Sequence, residues 1–246
     1  MLISMFLFFL LQIDQCYYVR IFMIYHDFDV FVFRDNVRKL SDGVARSLLG
    51  HCEVLEILSF IDCPKLSAAC LSDGASSSIT SVSCGSSNAQ ISNAIDHHLF
   101  DQMSAHALYP QILKLQNCSG ILHLRGLSAC TCRIHHLQLS NAQSIPAEQF
   151  ELLKLLPQTL KVLDLSHSPI SNIGFLSHFQ NLMHICLTGC PVPAAQLCDV
   201  LPQCQHLRVI DLSASNNNHF VSDKFANTRS QNEFPGKVIQ RIKINI

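Results

Sequence analysis

Four segments in the second half of the chain place apolar residues at their first, fourth and sixth positions and polar or bulky variable ones between: Ile134-His-His-Leu-Gln-Leu139, Leu160-Lys-Val-Leu-Asp-Leu165, Leu182-Met-His-Ile-Cys-Leu187 and Leu207-Arg-Val-Ile-Asp-Leu212. The last three residues of each run apolar, polar, apolar, the period of a strand with one covered face. The fourth position falls at Leu137, Leu163, Ile185 and Ile210, so the unit recurs at nearly even steps. A unit of that length cannot cover its own apolar face, and the repeat predicts stacking of one unit on the next.

The same register extends upstream. Leu55-Glu-Ile-Leu-Ser-Phe60 matches it, Ile79-Thr-Ser-Val-Ser-Cys84 follows one repeat length later with weaker residues, and Leu113-Lys-Leu-Gln-Asn-Cys118 keeps only the second half because Pro110 takes its first apolar slot. Ile239-Gln-Arg-Ile-Lys-Ile244 is an atypical last unit or a chance match. These units predict an α/β leucine-rich repeat solenoid, with a parallel sheet on the concave face and helices on the convex face.

Five regions follow. Residues 1–34 are an apolar segment of their own composition, 35–66 a helix and the first repeat, 67–107 a serine-rich weak repeat or loose insertion, 108–215 the array proper, and 216–246 a polar loop with the possible last repeat. Phe28, Val30 and Val32 alternate with Asp27, Asp29 and Phe31 as a strand would. Val37, Leu40, Val44, Leu48 and Leu49 recur at helical steps and predict an amphipathic helix within 35–52. Serine is the commonest residue from Ser67 to Ser92, a composition that resists regular packing. Phe150, Leu153 and Leu156 predict a helix over 147–156 that Pro157 ends, and 194–201 repeats the arrangement before Pro202.

Seven of the fifteen Phe fall at or before Phe33. Met1 to Ile13 is apolar enough for the core of a secretory signal, yet no Lys or Arg precedes it and no small-x-small cleavage site follows. It is also shorter than the roughly 20 residues of a membrane span. An imperfect signal or anchor, an apolar cap on the array, and a non-native start such as a mispredicted first exon all remain open.

Composition narrows the partners. Only 14% of residues are charged and the net charge is −1, so no field draws nucleic acid or an anionic membrane, and a protein partner is expected. Trp is absent and Tyr occurs four times, which leaves polar and aliphatic groups to make the contacts. Of the twelve Cys, Cys63, Cys118 and Cys190 take the ninth position of their repeats, where a free thiol can bond neighbouring backbone groups. Thiols spread through a long chain favour a reducing compartment and a cytoplasmic location over secretion, the alternative reading.

Side chains between the leucines point away from the core and carry the candidate binding site. They form three columns: His136, Val162, His184 and Val209; Gln138, Asp164, Cys186 and Asp211; Ser140, Ser166, Thr188 and Ser213. The strip is polar, rich in hydroxyls and mildly acidic.

Catalytic chemistry finds little support. Cys130, Cys132, His135 and His136 crowd together, but successive strand residues face opposite ways and no Cys-x-x-Cys pair occurs, so neither a zinc site nor any other cofactor is expected. Asp164, Ser166 and His167 are too close along one strand to aim at a common point, and no nucleophile elbow or phosphate loop accompanies them. Asn117-Cys118-Ser119 is a formal glycosylation sequon. The expectation is a non-enzymatic protein-binding module.

Cysteine-containing repeats of this kind resemble those of ubiquitin-ligase substrate receptors, F-box proteins among them. The run from Leu156 to Ile173, Leu197-Cys-Asp-Val200, His206 to Ser213 and Phe220-Val-Ser-Asp223 is similar to the repeat region of the Zyg-eleven and Zer-one family of cullin-RING receptors. That resemblance covers under a third of the chain. It implies a substrate-recognition role, with elongin-cullin components or a ligase substrate as partners. The elongin-docking box and the armadillo region of that family have no counterpart here, so the resemblance implies a piece of a longer receptor and assigns neither role to any residue.

Overall fold

Leu58, Val82, Leu113, Leu137, Leu163, Ile185 and Ile210 stand side by side, each the Cα partner of the next. All are 0% exposed. Burying each such side chain stabilises the fold by about 1.5–3 kcal/mol, and this column is the spine of the core. The protein is described here by a computed structural model covering residues 30–33, 41–50, 55–71, 78–90, 93–212 and 241–243.

The described residues form one parallel sheet of nine strands in sequential order. They are β1 (Val30–Phe33), β2 (Ile57–Ile61), β3 (Ser81–Gly85), β4 (Ile112–Gln116), β5 (His136–Ser140), β6 (Val162–Asp164), β7 (His184–Cys186), β8 (Val209–Asp211) and β9 (Arg241–Lys243). Parallel neighbours need a crossover between them. Here the crossovers carry helices α1 (Asp42–Leu49), α2 (His98–Ala105), α3 (Leu127–Cys130) and α4 (Ala194–Val200), together with 3₁₀ segments. This is the α/β leucine-rich repeat solenoid, with its sheet on the concave face and helices on the convex face.

The serine-rich stretch is a repeat where it is described. β3 pairs in full register with β2 and β4, and Ile79, Val82 and Cys84 of this unit join the apolar core. Ser81 and Ser83 occupy the outward positions, where a hydroxyl costs nothing. Residues 72–77 of the stretch lie outside the described residues.

Other expectations shift by a residue or a helix type. In β1 the Cα partner of Leu58 is Phe31, with Val30 opposite Ile57 and Val32 opposite Ser59. α1 buries Ala45 and Leu49, whereas Val44, expected on its apolar face, is 37% exposed. Packing against the neighbouring 3₁₀ turn at Ala68–Leu71 selects the face around Ala45. The span expected as a helix over 147–156 is 3₁₀ over Ala147–Leu155 and buries Phe150 and Leu153. Its tighter winding reaches further per residue than an α-helix, which suits the short return from β5 to β6. α4 stops before Pro202, which then sits within a 3₁₀ turn at Leu201–Gln203. At the other end, Ile242 pairs with Ile210, so the possible last unit adds a strand.

Two ladders tie the repeats together where the chain leaves each strand. In the ninth column, Cys118 Sγ donates to the Cys84 carbonyl at 3.7 Å, Ser168 Oγ to that of Leu139 at 3.0 Å, and Cys190 Sγ to that of Leu165 at 3.0 Å. Each donor reaches the sixth position of the preceding repeat. The Cys63 thiol bonds locally, to the Ile61 carbonyl at 3.6 Å. In the eighth column Asn141 Nδ2 donates to Asn117 Oδ1 at 2.6 Å, and Asn117 Nδ2 donates to the Ser86 carbonyl at 2.6 Å. Asp62, Asn117, Asn141 and His167 in that column all have φ between 54° and 60°. Asp and Asn tolerate this left-handed turn better than other side chains.

Candidate protein-binding face

β4 to β8 carry the strip on alternate residues. His136, Gln138, Val162, Asp164, His184, Cys186, Val209 and Asp211 are half-buried and alternate with the buried Leu137, Leu163, Ile185 and Ile210 between them, the signature of one solvent-facing side of a sheet. Ser166 and Thr188 follow the same alternation just beyond their strands, and Ser140 is more enclosed, at 8% exposure. The structure therefore brings eleven of the twelve expected residues to one face. Ser213 lies outside the described residues.

Many of these groups already bond to one another. Gln138 Nε2 donates to Ser140 Oγ at 3.0 Å, Asp164 Oδ1 accepts from the Ser166 amide at 2.9 Å, and Thr188 Oγ1 donates to Asp211 Oδ1 at 3.1 Å. The Cys186 thiol lies 3.3 Å from the Thr188 hydroxyl. Such bonds fix rotamers before a partner arrives, which lowers the ordering cost of binding. Burial, helped by the Lys114 cation, lowers the pKa of His136 below its ordinary 6.5 and keeps the ring largely neutral at physiological pH. Burial likewise raises the pKa of the Cys186 thiol above its ordinary 9.0, so it is a neutral contact group.

Two recesses lie towards the other half of the sheet. One of about 400 Å³ is lined by Ser59, Ser83, Lys114, Gln116 and Gln138 among others, and one of about 660 Å³ by Gln116, Asn117, Gln138, Asn141 and Ser166 among others. Ser59, Ser83, Lys114 and Gln116 stand at the same repeat positions as the expected strip. Sequence reasoning passed over them because it graded these units by their leucines, although their outward positions were in register throughout. A third recess of about 480 Å³ opens at the start of the strands, where His135, Lys161, Met183 and Arg208 form the second-position column.

The crowded Cys and His residues disperse. Cys130 is buried with its thiol 3.3 Å from the Leu127 carbonyl, Cys132 is exposed, His136 faces the concave side and His135 lines the recess at the strand start. Among the described residues no group of three His, Cys, Asp or Glu side chains is placed to hold a metal ion. Asp164 spends one carboxylate oxygen on the Ser166 amide, and the exposed His167 sits in the left-handed turn with its ring against Gly189. The Asn117 side chain of the sequon is engaged on both sides, its Nδ2 donating to the Ser86 carbonyl and its Oδ1 accepting from Asn141. No disulfide joins any two of the ten cysteines described. No helix among the described residues is long and apolar enough to cross a membrane, and Met1 to Ile13 lies outside them.

No family model matches the chain, and no curated protein does. Among solved structures it is similar to an internalin from Listeria monocytogenes, with 15% identity and a TM-score of 0.50 over 72% of this chain and 53% of that one. It thus spans about half the length of that internalin. A chain of the Toll–Spatzle complex of Drosophila aligns over 76% of this chain and 27% of its own, with 13% identity and a TM-score of 0.49. A second Listeria internalin aligns over 88% of this chain and 80% of its own, with 12% identity and a TM-score of 0.43. The internalin likeness at the highest of these scores concerns the fold.

Proposed function

We propose that the chain is a non-enzymatic protein-interaction module, part of the substrate-recognition subunit of a cullin-RING ubiquitin ligase, and that it binds its partner through the concave face. The observation that carries the reading is the continuous strip from β4 to β8, where imidazole, carboxamide, carboxylate and hydroxyl groups share one accessible side of a rigid sheet. Concave faces of stacked repeats offer extended surfaces of this kind for protein recognition. The ligase role rests on the resemblance of the 156–223 region to the Zyg-eleven and Zer-one receptors. A reducing, cytoplasmic location accords with ninth-column thiols acting as hydrogen-bond donors, a use that oxidation would abolish.

Co-elution tests the reading. The tagged full chain and an Asp164→Lys, Asp211→Lys variant are each expressed in cells, and the proteins that stay with them through affinity capture and a sizing column are identified. Ubiquitinated proteins or ligase components that co-elute with the unaltered chain and are lost from the variant support the reading, and the same proteins recovered equally with both chains count against it. Quantitative labelling of native and unfolded chain isolated under thiol-blocking conditions tests the compartment. Free thiols at all twelve positions are expected, and disulfide-linked cysteines would favour the secreted alternative.

A further inference from the structure

The fifth-position row crosses the sheet in the order Lys114, Gln138, Asp164, Cys186, Asp211, each the Cα partner of the next. All five are half-buried on the concave side. One cation is therefore followed, two strands on, by an anion and, two further strands on, by a second anion. Adjacent strands lie about 4.8 Å apart, so the charges fall about 10 Å from one another.

An extended β-peptide laid across the strands would not keep this step, because its same-face residues recur at about 6.7 Å. A polyproline II helix rises about 3.1 Å per residue with three residues per turn, so every third side chain faces the same way at about 9.3 Å. That period matches two strands of the sheet.

The walls of the row suit the same ligand. On one side Ile112, Val162 and Val209 offer apolar contact, alternating with His136 and His184, while on the other Gln116 carries a carboxamide donor that an unbonded polyproline carbonyl can use.

We propose that the concave face binds a polyproline II peptide segment carrying an acidic residue with basic residues three and six residues further on, the acid over Lys114 and the bases over Asp164 and Asp211. This rests on the reading of the face as a protein-binding surface and supplies the chemistry of the partner. The charges lie in a partly desolvated row, where screening by salt is weaker than at an open surface.

The test is fluorescence anisotropy on the full chain with three blocked, labelled proline-based peptides. The first carries Glu, Lys and Lys at every third position, the second the inverted charges, and the third the original charges at every second position. The first is expected to bind at least about tenfold more tightly than either of the others at low salt, a discrimination of about 1.4 kcal/mol. A chain with Lys114→Glu, Asp164→Lys and Asp211→Lys, checked for native circular dichroism, should prefer the inverted peptide. Equal binding of the first two peptides by the unaltered chain, or no binding of any at millimolar concentration, overturns the proposal whatever the variant does. If the chain co-elutes with ubiquitinated proteins or ligase components and still fails to discriminate, the peptide proposal falls and the ligase reading stands.

Discussion

The hydroxyl of Ser168 donates to the carbonyl of Leu139 at 3.0 Å and at once accepts the amide of Ala142 at 3.3 Å, bridging two repeats from a site that is 1% exposed. The ninth column therefore needs a short donor, and serine serves it as well as cysteine does. Replacing Ser168 by Ala removes that donor and acceptor from a buried site, at a cost of about 1–3 kcal/mol. Ser168→Cys should lose less, because a thiol can still reach the same carbonyl. Urea midpoints of the two variants decide the point, and equal losses would refute the ladder.

Asn141 supports a different link. Its amide reaches Asn117, and its backbone takes φ 54°. Asn141→Gly keeps the conformational freedom and loses only the bond, about 1 kcal/mol, whereas Asn141→Ala also meets left-handed strain of about 1–2 kcal/mol. The alanine variant should unfold at the lower urea concentration, and the reverse order would contradict the reading of this turn.

Gly189 is fixed by two constraints. Its φ is +68°, and an added Cβ would run into the imidazole of His167. Gly189→Ala should destabilise the chain, and removing the ring in a Gly189→Ala, His167→Ala double variant should restore the steric part while leaving the backbone part. Additive losses in this double-mutant cycle would show that the ring is not the obstacle.

Stability should fall at both ends of the pH scale. Burial raises the thiol pKa to about 12 for Cys118, about 12 for Cys130 and about 11 for Cys190, against an ordinary 9.0. Above pH 9 the unfolded chain therefore gives up these protons first, and stability present below that pH is lost as it rises towards 12. His136 acts in the opposite sense. Its folded pKa lies below the ordinary 6.5, so stability is full above that pH and declines as acid protonates the unfolded imidazole first. Urea denaturation across pH checks both limbs, and a flat alkaline limb would contradict the buried state of the thiols. In the native chain at mild pH, the exposed Cys132 should be alkylated well before Cys118, Cys130 and Cys190.

The leucines made the array legible because a buried fourth position tolerates only apolar residues, so Leu58, Leu137 and Leu163 declare themselves. β3 was harder to read, since Ser81, Ser83, Gly85 and Ser86 hide a strand whose core needs only Val82 and Cys84. Helix type escaped the apolar spacing because Phe150 and Leu153 turn inward at an interval that both α and 3₁₀ winding satisfy. On the concave face, spacing alone identified the columns from His136 to Asp211. Lys114 and Gln116 were missed for the weakness of their unit's first apolar slot, which says nothing about its outward side.

The central claim is that the concave strip, and not the helical layer, meets the protein partner. Photo-crosslinking in cells tests it most directly, with benzoylphenylalanine placed at Val162 on the strip or at Leu155, which is 58% exposed in the crossover after β5. Discrete adducts from position 162 that disappear with Asp164→Lys and Asp211→Lys, and none from position 155, are the predicted result. Adducts from position 155 alone, or from neither position, would contradict the account.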